Sequence, residues 1–191
     1  MTDPYVAKTA ALLQQDAWRW RCLQAVRDLD LPDGYIAAGF LRNAIWDAVH
    51  QQPTTALNDI DVVFFEPNDT SVEREQALEA QLSLAIAGAR FEVRNQARMH
   101  VKHQHAPYQS AADGIRRWVE QATCVGVRLR DDDQLEFVAP FGLALNWSLH
   151  VTLNPEFPQP ALFCQRIRDK KWLTHWPLLH VQWPESAVKN E

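Results

Sequence analysis

The sequence predicts an α/β (α+β) chain built on a small mixed β-sheet flanked by helices. Three observations predict it. Helical and strand periodicities alternate along the 191 residues, in the order helix, strand, helix, strand, helix, strand, helix, hairpin. The hexapeptide Ile60-Asp61-Val62-Val63-Phe64-Phe65 has the β-branched and aromatic content of a buried strand. A short apolar segment, Tyr35-Ile36-Ala37-Ala38, runs directly into Gly39 and an amphipathic helix.

Leu12, Leu13, Ala17, Trp20, Leu23 and Val26 recur at three- and four-residue spacing and predict one helix over 5–29. Leu31-Pro32-Asp33-Gly34 ends it. After the 35–38 strand, Leu41, Ile45, Ala48 and Val49 define a helix over about 40–51. Pro53 to Asn58 reads as a loop before the 60–65 strand. A helix starts at Ser71, with Leu78, Leu82 and Ile86 inward, and Arg90 to Arg94 is a third strand. A polar, histidine-containing stretch follows over 95–109. Helix is expected over 110–121 and 143–150, with a hairpin of Cys124–Leu129 and Leu135–Val138 between them. Three prolines make 154–160 a connector to a short basic helix at 161–172 and a Trp/Pro-rich tail. The expected organisation is a single domain over 1–191, with the 5–29 helix in front and a Pro/Trp-rich extension over 154–191.

Composition narrows the function classes. Apolar residues are 47% of the chain, which fits a globular core. A formal net charge of -5 argues against a long nucleic acid as partner, which calls for a basic excess. Cys22, Cys124 and Cys164 are odd in number and widely spaced, which reads as free thiols in a reducing cytosol. The N-terminus has no secretory apolar core, and no run reaches the roughly 18 apolar residues of a membrane helix. The expectation is a cytoplasmic protein without a membrane partner.

The chemistry centres on Asn58-Asp59-Ile60-Asp61-Val62. Side chains at i and i+2 of a strand share a face, so Asp59 and Asp61 project together. Adjacent carboxylates repel unless a cation lies between them. Mg²⁺ takes hard oxygen ligands, commonly one or two carboxylates with substrate phosphates. The second element is Ala38-Gly39-Phe40-Leu41-Arg42-Asn43 at a strand-to-helix junction. Glycine there admits close approach to the backbone. The first N–H groups of a helix favour phosphate, and Arg42 and Asn43 add donors. A phosphate cradle beside a carboxylate pair suits phosphoryl chemistry, which needs positioning and charge neutralisation. His100, His103 and His105 lack the second ligand cluster of a zinc site and read as a solvated loop. Asp131-Asp132-Asp133 reads as a hairpin turn. Arg166, Arg168, Lys170 and Lys171 read as a solvated basic helix face, with contact to a phosphate or polynucleotide the sharper alternative.

These residues resemble the nucleotidyltransferase superfamily of DNA polymerase β, and more narrowly a bacterial nucleotidyltransferase-like family of about this length. The matching stretches are Gly39–Asp47, Leu57–Val63, Glu92–His100, Ala139–Leu143 and Arg166–Trp172. The resemblance implies the nucleotidyltransferase fold and a metal-dependent transfer of a nucleotidyl group from a nucleoside triphosphate to an unidentified acceptor, with release of pyrophosphate. It implies Mg²⁺ or Mn²⁺ as cofactor. Gly39 becomes the phosphate-loop glycine, with Phe40, Arg42, Asn43 and Arg98 as further nucleotide-binding candidates. Asp59 and Asp61 become metal ligands and catalytic residues, with Glu92 the candidate third carboxylate. Phe40 stands where the superfamily carries a second small residue. The alternative is a catalytically inactive module that binds a nucleotide or a protein on the same fold.

Overall fold

The computed structural model describes residues 3–185. A five-stranded mixed sheet, in order β3-β2-β1-β4-β5, organises them. Its strands are β1 (Tyr35–Ala37), β2 (Ile60–Phe64), β3 (Phe91–Asn95), β4 (Gly126–Leu129) and β5 (Leu135–Val138). β2 and β3 run parallel, and the other pairings are antiparallel. One face buries Ile36, Ile60, Val62 and Val93 against α2 (Ala17–Arg27), α3 (Gly39–His50) and α4 (Val72–Ala85). The other face packs Tyr35, Ala37 and Val63 under Ile115 of α6 (Ala111–Arg116).

The single helix expected over 5–29 is two, α1 (Pro4–Gln15) and α2. The break is chemical. Asp16 is extended, and its carboxylate accepts from the N–H groups of Trp18 at 3.1 Å and Arg19 at 2.9 Å, capping α2. The same carboxylate pairs with the buried Arg19 guanidinium, and Arg19 Nε donates to the carbonyl of Phe40 at 3.1 Å. The apolar period runs through position 16 and conceals the cap.

The stretch 95–109 contains a helix, α5 (Gln96–His103), where the sequence reading placed none. Asn95 starts it. Its Oδ1 accepts from Ala97 N–H and Glu66 N–H, and its Nδ2 donates to the carbonyls of Glu66 and Asp69. Its own N–H donates to Glu75. This fully buried amide joins the end of β3, the turn after β2 and the helix α4.

The C-terminal part adds a second apolar cluster around Trp46 of α3. It includes Phe163 and Ile167 of α8 (Pro160–Asp169), Trp172 of α9 (Trp172–His175), and Trp176. Trp172 and Trp176 meet the Trp46 ring edge-on at 5.3 and 5.1 Å. Between α6 and α8 lie the short helix α7 (Ala144–Trp147) and β6 (His150–Val151), which pairs with β7 (His180–Val181). The last six residues of the expected 154–191 extension, 186–191, lie outside the described residues. Among the described residues no helix is long and apolar enough to cross a membrane, and the three cysteines are buried and free.

Candidate functional site

The site lies where the C-terminal end of β1 meets the N-terminal ends of β2 and β3. Asp61 pairs in register with Glu92 on β3. On the other side Tyr35 pairs with Val63 and Ile36 with Val62, and continuing that register one step sets Ala37 beside Asp61. Asp59 immediately precedes β2. The loop leading into it is anchored by the buried Asp47 of α3. That carboxylate accepts from the Thr55 N–H and hydroxyl, each at 2.7 Å, from Gln52 at 2.8 Å, and from Trp176 Nε1 at 2.7 Å.

Asp61 is half-buried. Burial, then the charges of Asp59 and Glu92, push its pKa up to about 6, and Arg42 and Lys170 oppose the rise. Among the described residues no hydrogen bond relieves the carboxylate. Carboxylates gathered together repel one another, which favours the protonated form of the buried one. Glu92 differs from the pair. Arg90 holds it at 2.8 Å and Arg94 approaches at 3.7 Å. Among the described residues no group of three or more His, Cys, Asp and Glu side chains is gathered to hold a metal ion. Asp59 and Asp61 offer hard oxygen donors, the kind Mg²⁺ takes where water and substrate phosphates supply the rest of its shell.

The helix tip has one window. Of residues 35–47, Gly39 alone is not buried. The N–H groups of Leu41 and Arg42 donate to the Ala38 carbonyl at 3.3 and 3.0 Å, and Ala38 N–H donates to Val125. The N–H groups of Gly39 and Phe40 have no backbone acceptor among the described residues. Ala38 has φ 53° and ψ -118°, a backbone suited to glycine. The small pair of the loop is thus Ala38-Gly39. Phe40 is fully buried core. Ala38→Gly is expected to stabilise the protein by about 1 kcal/mol, the relief of strain exceeding glycine's chain entropy. A urea melt reads this directly, and a loss of stability would show that Ala38 is unstrained.

Arg42, expected to add donors to the phosphate cradle, is turned inward. It is 5% exposed. Nε and Nη2 donate to Asn43 Oδ1 at 3.2 and 3.0 Å, and Nη1 donates to Thr123 Oγ1 at 2.8 Å. The guanidinium lies over Trp172 at 4.4 Å and Trp46 at 5.0 Å. Burial pulls its pKa down to about 10, and Glu120, Asp61 and Asp59 act the other way, so it stays charged at neutral pH. A Cβ at position 39 would sit 3.5 Å from its Nη2. Arg42 is thus a fixed positive charge just under the window, and Asn43 is its clamp. Arg98 stands apart. Both of its donating nitrogens go to the buried Glu75 of α4, Nε at 2.8 Å.

The structure brings together Gly39, Arg42, Asn43, Asp59 and Asp61, with Glu92 alongside. It engages Arg98 elsewhere and puts the Phe40 ring in the core. Thr123 and Glu120 are not singled out by the sequence, and the basic run of α8 is read there as a solvated face. Arg166 of α8 pairs with the fully buried Glu120 at 2.6 Å. Glu120 faces the Arg42 charge.

Comparison with known proteins gives this geometry a relation. A family profile described as nucleotidyltransferase matches residues 24–181. The chain belongs to this nucleotidyltransferase family. A solution structure described as revealing a CCA-adding enzyme head domain is 30% identical, with a TM-score of 0.82 over 93% of this chain and 96% of that one. A CCA-adding enzyme in complex with CTP is 13% identical with a TM-score of 0.55, over 93% of this chain and 43% of its own. A tRNA-processing enzyme is 15% identical with a TM-score of 0.51, over 84% and 44%. The last two share the fold, and this nucleotidyltransferase spans less than half of their length. No curated protein matches the sequence.

Proposed function

We propose that this nucleotidyltransferase is a metal-dependent enzyme that transfers a nucleotidyl group from a nucleoside triphosphate to an acceptor hydroxyl or phosphate and releases pyrophosphate. One observation carries the reading. The Asp61 carboxylate is strained by burial and by its neighbours, has no donor, and stands at the helix tip whose only window is Gly39. The CTP bound by a CCA-adding enzyme of the same fold supports a nucleoside triphosphate as donor substrate.

Asp59 and Asp61 hold the cation, Mg²⁺ or Mn²⁺. When bound, it neutralises phosphate charge and favours the ionised acceptor oxygen. The Gly39 and Phe40 N–H groups face the phosphate oxygens, and the buried Arg42 charge lies beneath them. Glu92, paired with Arg90 and Arg94, adds negative charge beside Asp61. The acceptor oxygen, its hydroxyl proton released to solvent, forms a bond to the α-phosphorus. The bond from that phosphorus to the bridging oxygen breaks, and pyrophosphate departs with the electron pair.

The second reading, a module that binds a nucleotide without turnover, is favoured by the Glu92 ion pairs, which leave two carboxylates where a third is expected. Pyrophosphate release from each of the four nucleoside triphosphates with Mg²⁺ separates the two. Catalysis predicts release by the wild type and its loss, by about 10³-fold or more, in Asp61→Asn. Nucleotide binding without release selects the module.

A further inference from the structure

The basic run at the end of α8 is read from sequence as a solvated face. Three contacts tie it to the site. Arg166 is fixed to the buried Glu120 at 2.6 Å. Lys170 follows Arg166 by four residues at the helix C-cap, so the two share one face of α8. Trp172, two residues further on, covers the Arg42 guanidinium at 4.4 Å. Arg42 in turn reaches to within 3.5 Å of where a Cβ on Gly39 would sit. The α8–α9 junction is therefore pinned on both sides of Lys170 to groups that lie directly beneath the site.

Charge gives the junction a purpose. The site already holds Asp59, Asp61 and Glu92, and a polyphosphate brings several further negative charges. Arg90 and Arg94 are engaged with Glu92, and Arg94 also with Glu79 at 2.5 Å. Arg42 is buried, and its Nε, Nη1 and Nη2 each donate to Asn43 or Thr123. Lys170 is exposed, and no carboxylate among the described residues pairs with it. Its charge nevertheless reaches Asp61. A flexible four-carbon stem ending in a free ammonium, on a base that Arg166 and Trp172 hold still, can follow a phosphate chain.

We propose that Lys170, on the junction anchored by Arg166 and Trp172, forms a subsite for the terminal phosphates of a polyphosphate chain whose inner end lies at Gly39, Asp59 and Asp61. The proposal rests on the reading of this site as a nucleotide site. It assigns to the C-terminal segment the charge that the helix tip lacks. It also makes affinity depend on the number of phosphates and not on the base.

Calorimetric titration of the full chain with inorganic tripolyphosphate, with each nucleoside triphosphate and with the matching monophosphates, all with Mg²⁺, tests this. Lys170→Ala is expected to weaken tripolyphosphate and triphosphate binding by about 10-fold or more, leave monophosphate binding unchanged, and melt like the wild type. Lys170→Arg is expected to retain most of the affinity. Arg168→Ala removes the same charge from another face of α8, where its guanidinium lies 5.7 Å from Trp183, and is expected to bind like the wild type. Equal binding by Lys170→Ala and the wild type overturns the subsite and leaves the nucleotide reading standing. So does an equal loss in Arg168→Ala, which points to diffuse charge. Failure of the wild type to bind any of these ligands overturns both.

Discussion

Asp61→Asn is expected to melt at a higher temperature than the wild type in the absence of metal, while losing all Mg²⁺-dependent response to nucleotide. The sign follows from the site. The folded-state pKa of Asp61 is raised to about 6, above its ordinary value of 3.8, chiefly by burial and then by Asp59 and Glu92. Between those two values the folded chain holds a proton that the unfolded chain has released. Wild-type stability therefore falls as pH rises through that window and stays at the lower level above it. Asparagine removes the charge and the dependence. With the partial exposure of Asp61 discounted, the gain at neutral pH is about 1–2 kcal/mol, or roughly 3–6 °C in Tm for a chain of this size. Thermal melts at pH 4 and pH 7.5 check it. A variant less stable than the wild type at pH 7.5 would mean that the carboxylate is compensated inside the protein and is not reserved for a cation.

Arg42 carries the largest expected stability effect. Its guanidinium joins the first turn of α3 to Thr123 and fills the space between Trp46 and Trp172. Arg42→Ala removes three hydrogen bonds, opens a cavity under Trp172, and takes away the charge facing Glu120. The expected cost is about 3–5 kcal/mol. Arg42→Lys is expected to recover little of it, because an ammonium cannot make the forked contact to Asn43 or lie flat on the indoles. Urea unfolding followed by tryptophan fluorescence measures both. A loss below about 1 kcal/mol in Arg42→Ala would show that the second apolar cluster holds α9 against α3 without the guanidinium.

The parts of the fold visible in the sequence are those written locally. The β1 strand, the glycine at its end, the α3 apolar face and the two aspartates at β2 each occupy one short window, and their patterns suffice. What was not legible depends on partners far along the chain. The buried fate of Arg42 is decided by Trp172, and nothing near position 42 announces it. Glu120 is fully buried against Arg166 of α8, and nothing near position 120 announces that partner. The α5 helix was missed because it is short and polar, with only Gln96 and Met99 buried. Asn95 ahead of it was a readable cap signal. Asp16 was another, masked by an apolar period that continues from α1 into α2. Lys170 sits in a basic run like any surface run, and only the packing of Trp172 on Arg42 relates that run to the helix tip.

In the proposed function the carboxylates of Asp59 and Asp61 together hold a divalent cation whose shell a nucleotide's phosphates complete. Crystals grown with Mn²⁺ and a non-hydrolysable nucleoside triphosphate analogue test it most directly, because Mn²⁺ is located by its anomalous signal. The expected result is a peak within coordination distance of both carboxylates, with phosphate oxygens on its open side and the Gly39 window next to them. Nucleotide bound with Mn²⁺ away from both aspartates, or aspartates turned from the α3 tip in that complex, would contradict the account.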